Sequence, residues 1–431
     1  MAKVRLVQPV ANEVTVDDFS AYVPQHTYIF RPTGEIWTAA GVNSRVQPVG
    51  DLKANQWIDR HNPVEQMTWW PGAPVDIRDK LAADGGWIAK PGCTVFNLYR
   101  PPTIRRVRGD ASRWRMHIEN IYGEYAEHIV RWCAHRVQFP GEKINHSIVL
   151  GGNQGIGKDT LLEPVKQAVG EWNFAEVSPA NLHERFNPFL RNVILRVSEA
   201  REVGQNDRFA FYDLTKTLMA APPNTLRIDE KNIREYHITN VVGIIITTNN
   251  KNALHIPPDD RRHYVAWSDK TAADFEPEHW DGLYYWYEHG GYEIIANYLA
   301  EYDLTEFNSK SPPAKTQAWR EIVASSVTPE NGMLMDAIES LQTPNAVTID
   351  QLRSCAESGS QLLEWLNDRK TRNQIGYQLE KCGYTKVVND ANTLGLYKIQ
   401  KKYMAVYAKI DLTHRERTAA ASALCQISTQ H

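Results

Sequence analysis

The sequence predicts an α/β fold with a parallel sheet, and three apolar runs are the main indication. These candidate strands are Ile148–Leu150, Val193–Val197 and Val241–Ile246. They are short and almost entirely apolar, as are parallel strands that are buried on both faces. Helix and strand signals alternate through residues 144–300, and this alternation favours an α/β domain.

The composition indicates a globular chain of two to four domains. The chain has 431 residues, of which 42% are apolar and 23% charged, as is typical of globular proteins. Its net charge of −3 gives no overall attraction to nucleic acid, so a nucleic-acid role needs local basic surfaces. The five cysteines form no C-x-x-C pair, which argues against a zinc site and favours a reducing cytosol. No apolar run reaches transmembrane length, so we expect no membrane contact.

We divide the chain into five segments with different patterns. Residues 1–110 predict a small α+β domain with strands such as Thr27–Phe30 and Glu35–Thr38, and residues 111–143 predict a helical connector with one clear helix. The α/β domain covers 144–305, and the linker Asn308–Lys315 follows it. Residues 316–412 predict a helical module that ends in a small sheet, and 413–431 predict a loose tail.

A glycine-rich loop follows the first candidate strand. The segment from Gly152 to Lys158 matches G-x-x-x-x-G-K, and glycines let successive backbone N–H groups point at one anion. The next helix begins here and adds its positive dipole end. The alternative is a glycine-rich connection with a solvated lysine. We predict a phosphate-binding loop made of Gly152, Asn153, Gln154, Gly155, Ile156, Gly157, Lys158, Asp159 and Thr160.

Polar residues follow the other two strands. Ser198 and Glu199 end the second, where Glu199 suits orienting or deprotonating an attacking water, although it could simply pair with Arg201. Asn249 ends the third strand. A polar amide at the tip of a strand lying between the other two can sense a terminal phosphate.

Two basic features complete the pattern. Leu226–Arg234 predicts a mobile β-hairpin with Lys231 near its tip, suited to gripping a backbone phosphate, with Arg234 on the hairpin and Lys216 on the preceding helix. Arg261 and Arg262 follow in a short loop. They suit an arginine finger acting on a neighbouring subunit's phosphoryl group, or else a surface network with Asp259 and Asp260.

In this combination and order, the motifs resemble those of superfamily 3 helicases, AAA+ ring ATPases of viruses, phages and plasmids. Five segments are similar to those of the phage and prophage primase–helicase branch: GGNQGIGKDTLL, RVSEAREVG, PPDDRRHYVAWS, MTWWPG and FNLYRPP. Larger members of this branch carry an upstream primase domain, which we do not expect in this chain. The resemblance implies a P-loop AAA+ fold, ATP and Mg²⁺ as cofactors, and a homo-hexamer or similar ring on single-stranded or forked DNA. It further implies the cytoplasm of a bacterial host as location and is compatible with a separate primase or polymerase as a partner, which the sequence itself does not decide.

By this resemblance Lys158 and Thr160 belong to motif A, Glu199 to motif B and Asn249 to motif C. Lys231 then belongs to the DNA-contacting hairpin, and Arg261 and Arg262 belong to the finger.

Two departures from the family pattern occur together. Asp159 stands where Ser or Thr is usual, and Ser198 stands where a first acidic residue is usual. We hypothesise a reciprocal swap in which Asp159 supplies the carboxylate and Ser198 the hydroxyl near the metal, with Glu199 beside them. In the rival interpretation Thr160 ligates magnesium and Asp159 lies behind it.

Two other regions have basic patterns. Six arginines crowd residues 100–115 beside Tyr99 and Trp114, which suits phosphate contacts with stacking or a basic subunit-facing edge. In the C-terminal module, Thr371–Gln374 resembles a capping box, and helices followed by short strands predict a winged-helix-like module. It would bind DNA or dock a protein, and its basic residues are Arg369, Lys370, Arg372, Lys386, Lys398, Lys401 and Lys402.

The sequence therefore predicts an ATP-dependent DNA helicase or translocase acting in the replication of a phage or mobile element. One alternative is an AAA+ ATPase that uses the same motor for phage defence or protein–DNA remodelling. Another is a catalytically silent DNA-binding ring, which the unusual Asp159 and Ser198 pair suggests.

Overall fold

The computed structural model describes residues 14–198, 205–251, 254–325, 329–356, 360–368, 371–400 and 402–426. The chain forms two compact units, unit 1 (residues 1–323) and unit 2 (residues 324–431). In the part of the chain that is described, no helix is long and apolar enough to span a bilayer.

Two small sheets form the N-terminal part of unit 1. Their strand orders are β3-β2-β1-β4 and β5-β7-β6, and strands β2 and β3 agree with the two strands predicted here. The elements are β1 (Phe19–Tyr22), β2 (Thr27–Phe30), β3 (Glu35–Trp37), α1 (Ala39–Arg45), α2 (Ala54–His61), β4 (Pro63–Val64), β5 (Gln66–Thr68), β6 (Asp76–Ala83) and β7 (Gly86–Asn97).

Two helices, α3 (Ser112–Tyr122) and α4 (Ala126–Gln138), follow the small sheets. The prediction of one continuous helix here is wrong, because a single 3₁₀ turn from Gly123 to Tyr125 separates the two. Gly123 has φ 49° and ψ −121°, a conformation that residues with a side chain rarely adopt. The apolar periodicity continues across this break, so it could not reveal the interruption.

A five-stranded parallel sheet with the order β14-β8-β13-β10-β9 is the centre of unit 1. The three predicted strands are β8, β13 and β10, and β13 lies between the other two as predicted. The elements are β8 (Ser147–Gly152), α5 (Lys158–Val169), β9 (Phe174–Val177), β10 (Ile194–Val197), α6 (Gln205–Met219), β11 (Thr225–Glu230), β12 (Ile233–Thr239), β13 (Gly243–Thr248), β14 (His263–Ser268), α7 (Pro277–Trp286), α8 (Tyr292–Glu301) and α9 (Gln317–Ser325).

One hydrophobic cluster joins the N-terminal sheets, α3, α4 and the central sheet, with members from Tyr22 to Ile322. A second interaction ties the sheet to its surroundings through the buried ammonium of Lys143. This group donates to Asn240 Oδ1 at 3.0 Å and to the Val242 carbonyl at 2.7 Å, just before β13 begins. The start of β13 is therefore fixed from outside the sheet.

Unit 2 contains helices, a three-stranded antiparallel sheet of order β15-β19-β16, and a hairpin of β17 and β18. The predicted capping box at Thr371 is wrong, because the Thr371 hydroxyl instead donates to the carbonyls of Trp365 and Asp368. The elements are α10 (Pro329–Ser340), β15 (Ala346–Thr348), α11 (Ile349–Cys355), α12 (Gln361–Asn367), α13 (Arg372–Lys381), β16 (Tyr384–Val387), β17 (Tyr397–Ile399), β18 (Lys402–Met404), β19 (Val406–Lys409) and α14 (His414–Gln426).

The predicted loose tail contains a helix, and this part of the prediction is wrong. In helix α14, Ala421 is fully buried in a cluster with β15, β16, β17 and β19. Thr413 and Glu416 form the cap, with the Thr413 N–H donating to Glu416 Oε2 at 2.8 Å. The T-x-x-E spacing of a capping box was the available signal.

Unit 1 contains three buried histidines, His117, His135 and His146, and the half-buried His128. Burial lowers the pKa of His117 and His128 to about 4, and the pKa of His135 and His146 to about 3. The His128 ring stacks on Tyr264 at 3.8 Å, and its Nε2 lies 3.0 Å from His146 Nε2. Two neighbouring imidazoles in this setting cannot both accept a proton without strong repulsion.

We expect unit 1 to lose stability as the pH falls from about 6.5 towards about 4. In this window the unfolded histidines bind protons and the folded ones do not, so the free energy of unfolding decreases with falling pH. The limit is on the order of 3 kcal/mol per buried histidine. Urea unfolding across this pH range measures the effect. His128→Phe should flatten the profile, the exposed-site control His61→Gln should leave it unchanged, and equal profiles for all three proteins would contradict the prediction.

Candidate functional site

The glycine-rich loop links the carboxyl end of β8 to the start of α5. Gly152, Gly155 and Gly157 have φ values of 139°, 81° and 87°, which residues with a side chain rarely adopt. Ile156 is fully buried between them and anchors the loop to the core. The loop therefore curls tightly and brings Lys158 into the first turn of α5.

The Lys158 ammonium is the central group of this site. It donates to the carbonyls of Gly152 and Asn153 and to Asn249 Oδ1, each at 2.7 Å. Asn249 reaches it because β13 pairs with β8, with Thr248 opposite Gly151. Burial, aided by repulsion from Arg196 and opposed by Asp159, lowers the pKa of Lys158 to about 8. The structure thus brings together two of the residues predicted from separate motifs.

Asp159 pairs with an arginine that the sequence analysis did not single out. Its carboxylate accepts from the Arg196 guanidinium, which also lies 3.5 Å from Glu176 Oε2 and 3.3 Å from Thr247 Oγ1. The Arg196 side chain is 12% exposed, whereas that of Asp159 is 76% exposed. Arg196 lies on β10, next to β13 in the sheet.

Aromatic residues of α7 form the other wall. Trp280 packs so closely on Gly157 that an added Cβ would lie 2.7 Å from its ring and 2.6 Å from His117. Tyr284 shares a hydrogen bond of 2.8 Å with the Thr160 hydroxyl, and His117 Nε2 lies 3.2 Å from the Gly157 carbonyl. The cleft has a volume of about 380 Å³, and its lining includes Lys158, Asp159, Arg196, Asn249, Trp280 and Tyr284.

Other predicted residues lie elsewhere or outside the described chain. Ser198 follows β10, and its N–H donates to the Val177 carbonyl at 3.0 Å, while Glu199 lies outside the described residues. Arg261 and Arg262 precede β14, which runs parallel to β8. They therefore lie at the amino edge of the sheet, opposite the edge that holds Lys158. Within one chain, the two arginines therefore lie away from the cleft.

The predicted hairpin exists as β11 and β12, with Lys231 exposed at its turn. Contacts with the N-terminal part of unit 1 anchor this hairpin near both ends, and its mobility stays a prediction. Gln25 accepts from the Arg234 N–H at 3.1 Å and donates to the Asn232 carbonyl at 3.3 Å. Thr68 donates to the His237 carbonyl at 2.9 Å, so the N-terminal sheets hold both ends.

A loop beside the hairpin adds two exposed residues that the sequence analysis missed. Arg185 has a side chain that is 78% exposed, and Phe186 is 41% exposed. Asn187 fixes this loop to β11 by accepting from the Asp229 N–H at 2.8 Å and donating to the Arg227 carbonyl at 3.0 Å. We call the surface formed by Lys231, Arg234, Arg185 and Phe186 the hairpin surface. The other residue predicted to contact DNA, Lys216, is exposed on α6.

The arginine-rich segment 100–115 divides in the structure. Arg115 is bound to Glu119, Glu127 and two tyrosine hydroxyls, and Trp114 is fully buried. These two residues support the core, so stacking by Trp114 on a base is excluded. Arg105 and Arg106 are exposed and leave the two interpretations of this segment open.

The described members of the predicted basic set of unit 2 include three exposed lysines, Lys386, Lys398 and Lys402. Lys398 lies opposite Tyr403 in the hairpin of β17 and β18, and Lys402 lies opposite Ile399. Lys386 is exposed on β16 and Arg372 begins α13. Arg369, Lys370 and Lys401 lie outside the described residues.

The comparisons agree with this architecture. Residues 150–262, which include the glycine loop, the hairpin and the arginine pair, match a family of unknown function (DUF5906). A DNA primase-polymerase of Nitratiruptor phage NrS-1 is 26% identical over 217 residues, which are 48% of this chain and 29% of that protein. The match therefore spans less than a third of that relative.

Solved structures show the same fold. Two apo structures of the NrS-1 C-terminal region have TM-scores of 0.60 and 0.61 with 17% identity, and each covers 91% of this chain. The alignments cover 96% and 95% of those chains. The chain is thus a mixed α/β protein with a central parallel sheet, similar in fold to that phage region.

Gly157→Ala should destabilise the loop because the new methyl group meets His117 and Trp280 and requires φ near 87°. Strain and overpacking together predict a loss of about 3 kcal/mol or more in the free energy of unfolding. Gly72→Ala is the matched control, since Gly72 has φ 80° and no atom within 4 Å of an added Cβ. Chemical unfolding compares the two variants, and equal losses would show that the close packing at Gly157 carries no energy.

Proposed function

We propose that the cleft binds a nucleoside triphosphate in a P-loop of AAA+ type, and that its hydrolysis moves single-stranded DNA. The observation that carries the proposal is the position of the Lys158 ammonium. Two carbonyl oxygens of the glycine loop and the Asn249 amide oxygen at the end of the neighbouring strand accept from it, and phosphate oxygens are acceptors of the same kind. The loop glycines and the start of α5 supply backbone N–H groups for the same anion.

The residues at the start of α5 fit a magnesium ion that arrives with the nucleotide. Asp159 offers a carboxylate and Thr160 a hydroxyl, and hard oxygen donors of this kind suit Mg²⁺, which takes its remaining ligands from phosphates and water. Among the described residues no group of three or more His, Cys, Asp or Glu could hold a metal ion alone. The ion would neutralise phosphate charge. The reciprocal swap of Asp159 and Ser198 stays a hypothesis, and Asp159 pairs here with Arg196.

We propose a ring of identical subunits, such as a hexamer, because the arginine pair and the cleft lie at opposite edges of one sheet. Arg261 and Arg262 can then serve the cleft of a neighbouring chain, stabilising charge on the transferred phosphoryl group. Repeated head-to-tail contact of this kind closes into a ring when the rotation permits. Asn249 would hold the attacking water, and Glu199 keeps its predicted role as the base that activates it.

The hairpin surface is the proposed DNA contact of unit 1. Lys231, Arg234 and Arg185 offer cations for backbone phosphates, and Phe186 offers a ring for base stacking. Because the hairpin is anchored, it would move DNA together with the unit that carries it. In unit 2, the exposed Lys398, Lys402 and Tyr403 support a winged-helix-like module that contacts DNA or docks a protein.

We place this activity in phage DNA replication, alongside a separate primase or polymerase. The similarity to a phage DNA primase-polymerase supports this setting. The motor could equally serve phage defence or protein–DNA remodelling with the same residues. DNA-stimulated ATP hydrolysis together with strand displacement would separate replication from those tasks.

One observation favours a second candidate, a ring that binds nucleotide without turnover. Arg196 and Ser198 stand near the end of the strand beside the cleft, and Glu199 is the one acidic residue that follows them directly, whereas a nucleotide hydrolase usually has more than one acidic group here. Asp159 is also paired with Arg196. Measurable hydrolysis that depends on Lys158 would remove this candidate.

Lys158→Ala should abolish ATP hydrolysis and weaken ATP binding, because it removes the cation over the outer phosphates. Loss of a charged hydrogen bond predicts an affinity decrease of about tenfold or more. Lys166→Ala is the matched control, since Lys166 lies on the same helix and pairs only loosely with Glu163 at 4.0 Å. Phosphate release with and without single-stranded DNA measures turnover. Hydrolysis that survives Lys158→Ala would contradict the proposed function.

Phe186→Ala should weaken binding of single-stranded DNA by about 1–3 kcal/mol, the usual contribution of one stacked base. Phe139→Ala is the control, because Phe139 is exposed to a similar extent, 42% against 41%. Fluorescence anisotropy with labelled oligonucleotides reports the affinity. Lys231→Ala should in addition reduce the salt dependence of binding. If Phe186→Ala and Phe139→Ala bind alike, the hairpin surface is not the DNA contact.

A further inference from the structure

Arg196 is a cation in the cleft to which the family pattern assigns no role. It lies two residues before Ser198 on β10, and its guanidinium reaches the cleft that Lys158 and Asn249 line. Because side chains alternate along a strand, Arg196 and Ser198 lie on the same face of the sheet. Only β13 separates β10 from β8.

The partners of Arg196 hold it loosely. Its two carboxylate neighbours, Asp159 and Glu176, have side chains that are 76% and 50% exposed. Water and salt reach both carboxylates and weaken their attraction for the largely buried guanidinium. Thr247 accepts at 3.3 Å from two guanidinium nitrogens and fixes the direction of the side chain towards the cleft. An incoming phosphate can therefore displace Asp159 at small cost.

The order of the strands indicates which phosphate Arg196 would meet. The glycine loop at the end of β8 surrounds the inner phosphates, and the chain of phosphates then extends towards the ends of the neighbouring strands. Asn249, which follows β13, comes first and Arg196 on β10 comes next. A planar guanidinium binds a phosphate through two parallel hydrogen bonds that match the fork of its N–H groups.

We propose that Arg196 binds the terminal phosphate of a nucleoside triphosphate within its own chain, and that Asp159 holds the guanidinium until the nucleotide displaces it. The inference rests on the proposed function, since it requires a nucleotide in this cleft. Arg196 then distinguishes a triphosphate from a diphosphate without help from a neighbouring subunit. Asp159 competes with the phosphate for Arg196 and, once released, is available to the magnesium ion.

The test measures ATP and ADP affinity by calorimetry on the full chain in EDTA, where no metal contributes and no hydrolysis occurs. Arg196→Gln should weaken ATP binding by about tenfold to a hundredfold and should weaken ADP binding much less. Arg196→Lys should fall between the wild type and Arg196→Gln, because it keeps the charge and loses the fork. Asp159→Asn should tighten ATP binding several-fold, since it removes the competing anion.

The matched control is Arg31→Gln. It breaks a half-buried ion pair far from the cleft, in which Arg31 Nη2 lies 3.0 Å from Asp76 Oδ2. It should leave both affinities unchanged, and thermal unfolding confirms that each variant is folded. Equal losses of ATP and ADP affinity in Arg196→Gln, or weaker ATP binding by Asp159→Asn in EDTA, would overturn the inference alone. A wild-type chain without ATP affinity would overturn the proposed function and this inference together.

Discussion

The hydrogen bond between Lys158 Nζ and Asn249 Oδ1 depends on the register of β8 and β13, and the rest of the cleft depends on the same register. Thr248 lies opposite Gly151, so the residues that follow the two strands meet at one edge of the sheet. A shift of one residue would send every side chain of β13 to the other face. The buried ammonium of Lys143 holds the carbonyl of Val242 and the side chain of Asn240, and it thereby fixes where β13 begins.

The two cations of the cleft have different partners. Lys158 donates to neutral carbonyl and amide oxygens, and Arg196 pairs with exposed carboxylates. Neither cation is locked in a fully buried ion pair. A fully buried pair would resist the entry of an anion, because breaking it leaves an uncompensated charge. Burial is the main cause of the depressed pKa of Lys158, about 8. An anionic ligand would favour the charged form of this ammonium.

Three of the five strands of the central sheet, β8, β10 and β13, were predictable from the sequence because they are short, apolar and followed by polar residues, whereas β9 and β14 were not predicted. Lys158 was predicted from the glycine-loop motif, and Asn249 from its place after a strand that lies between the other two, since the carboxyl ends of parallel strands meet at one edge. Arg196 was missed although it lies in a predicted strand, because a single charged residue in an apolar run gives no sign of its partner. The break at Gly123 and the contacts of Gln25 with the hairpin depend on tertiary packing, which periodicity does not contain. The Thr413–Glu416 cap of α14 was a local signal that was available and overlooked.

The distance between the amino and carboxyl ends of the central strands explains why the proposed motor needs more than one chain. β14 has six residues, so Arg262 at its amino end and the cleft at the carboxyl edge are about 20 Å apart. An arginine side chain cannot cross that distance past a packed sheet. Within one chain the cleft therefore has only Lys158 and Arg196 as lining cations, so far as the residues are described. Nucleotide binding would then need Arg196 of the same chain, whereas turnover would need Arg261 or Arg262 of a neighbouring chain. A single subunit could therefore take up nucleotide before a ring forms.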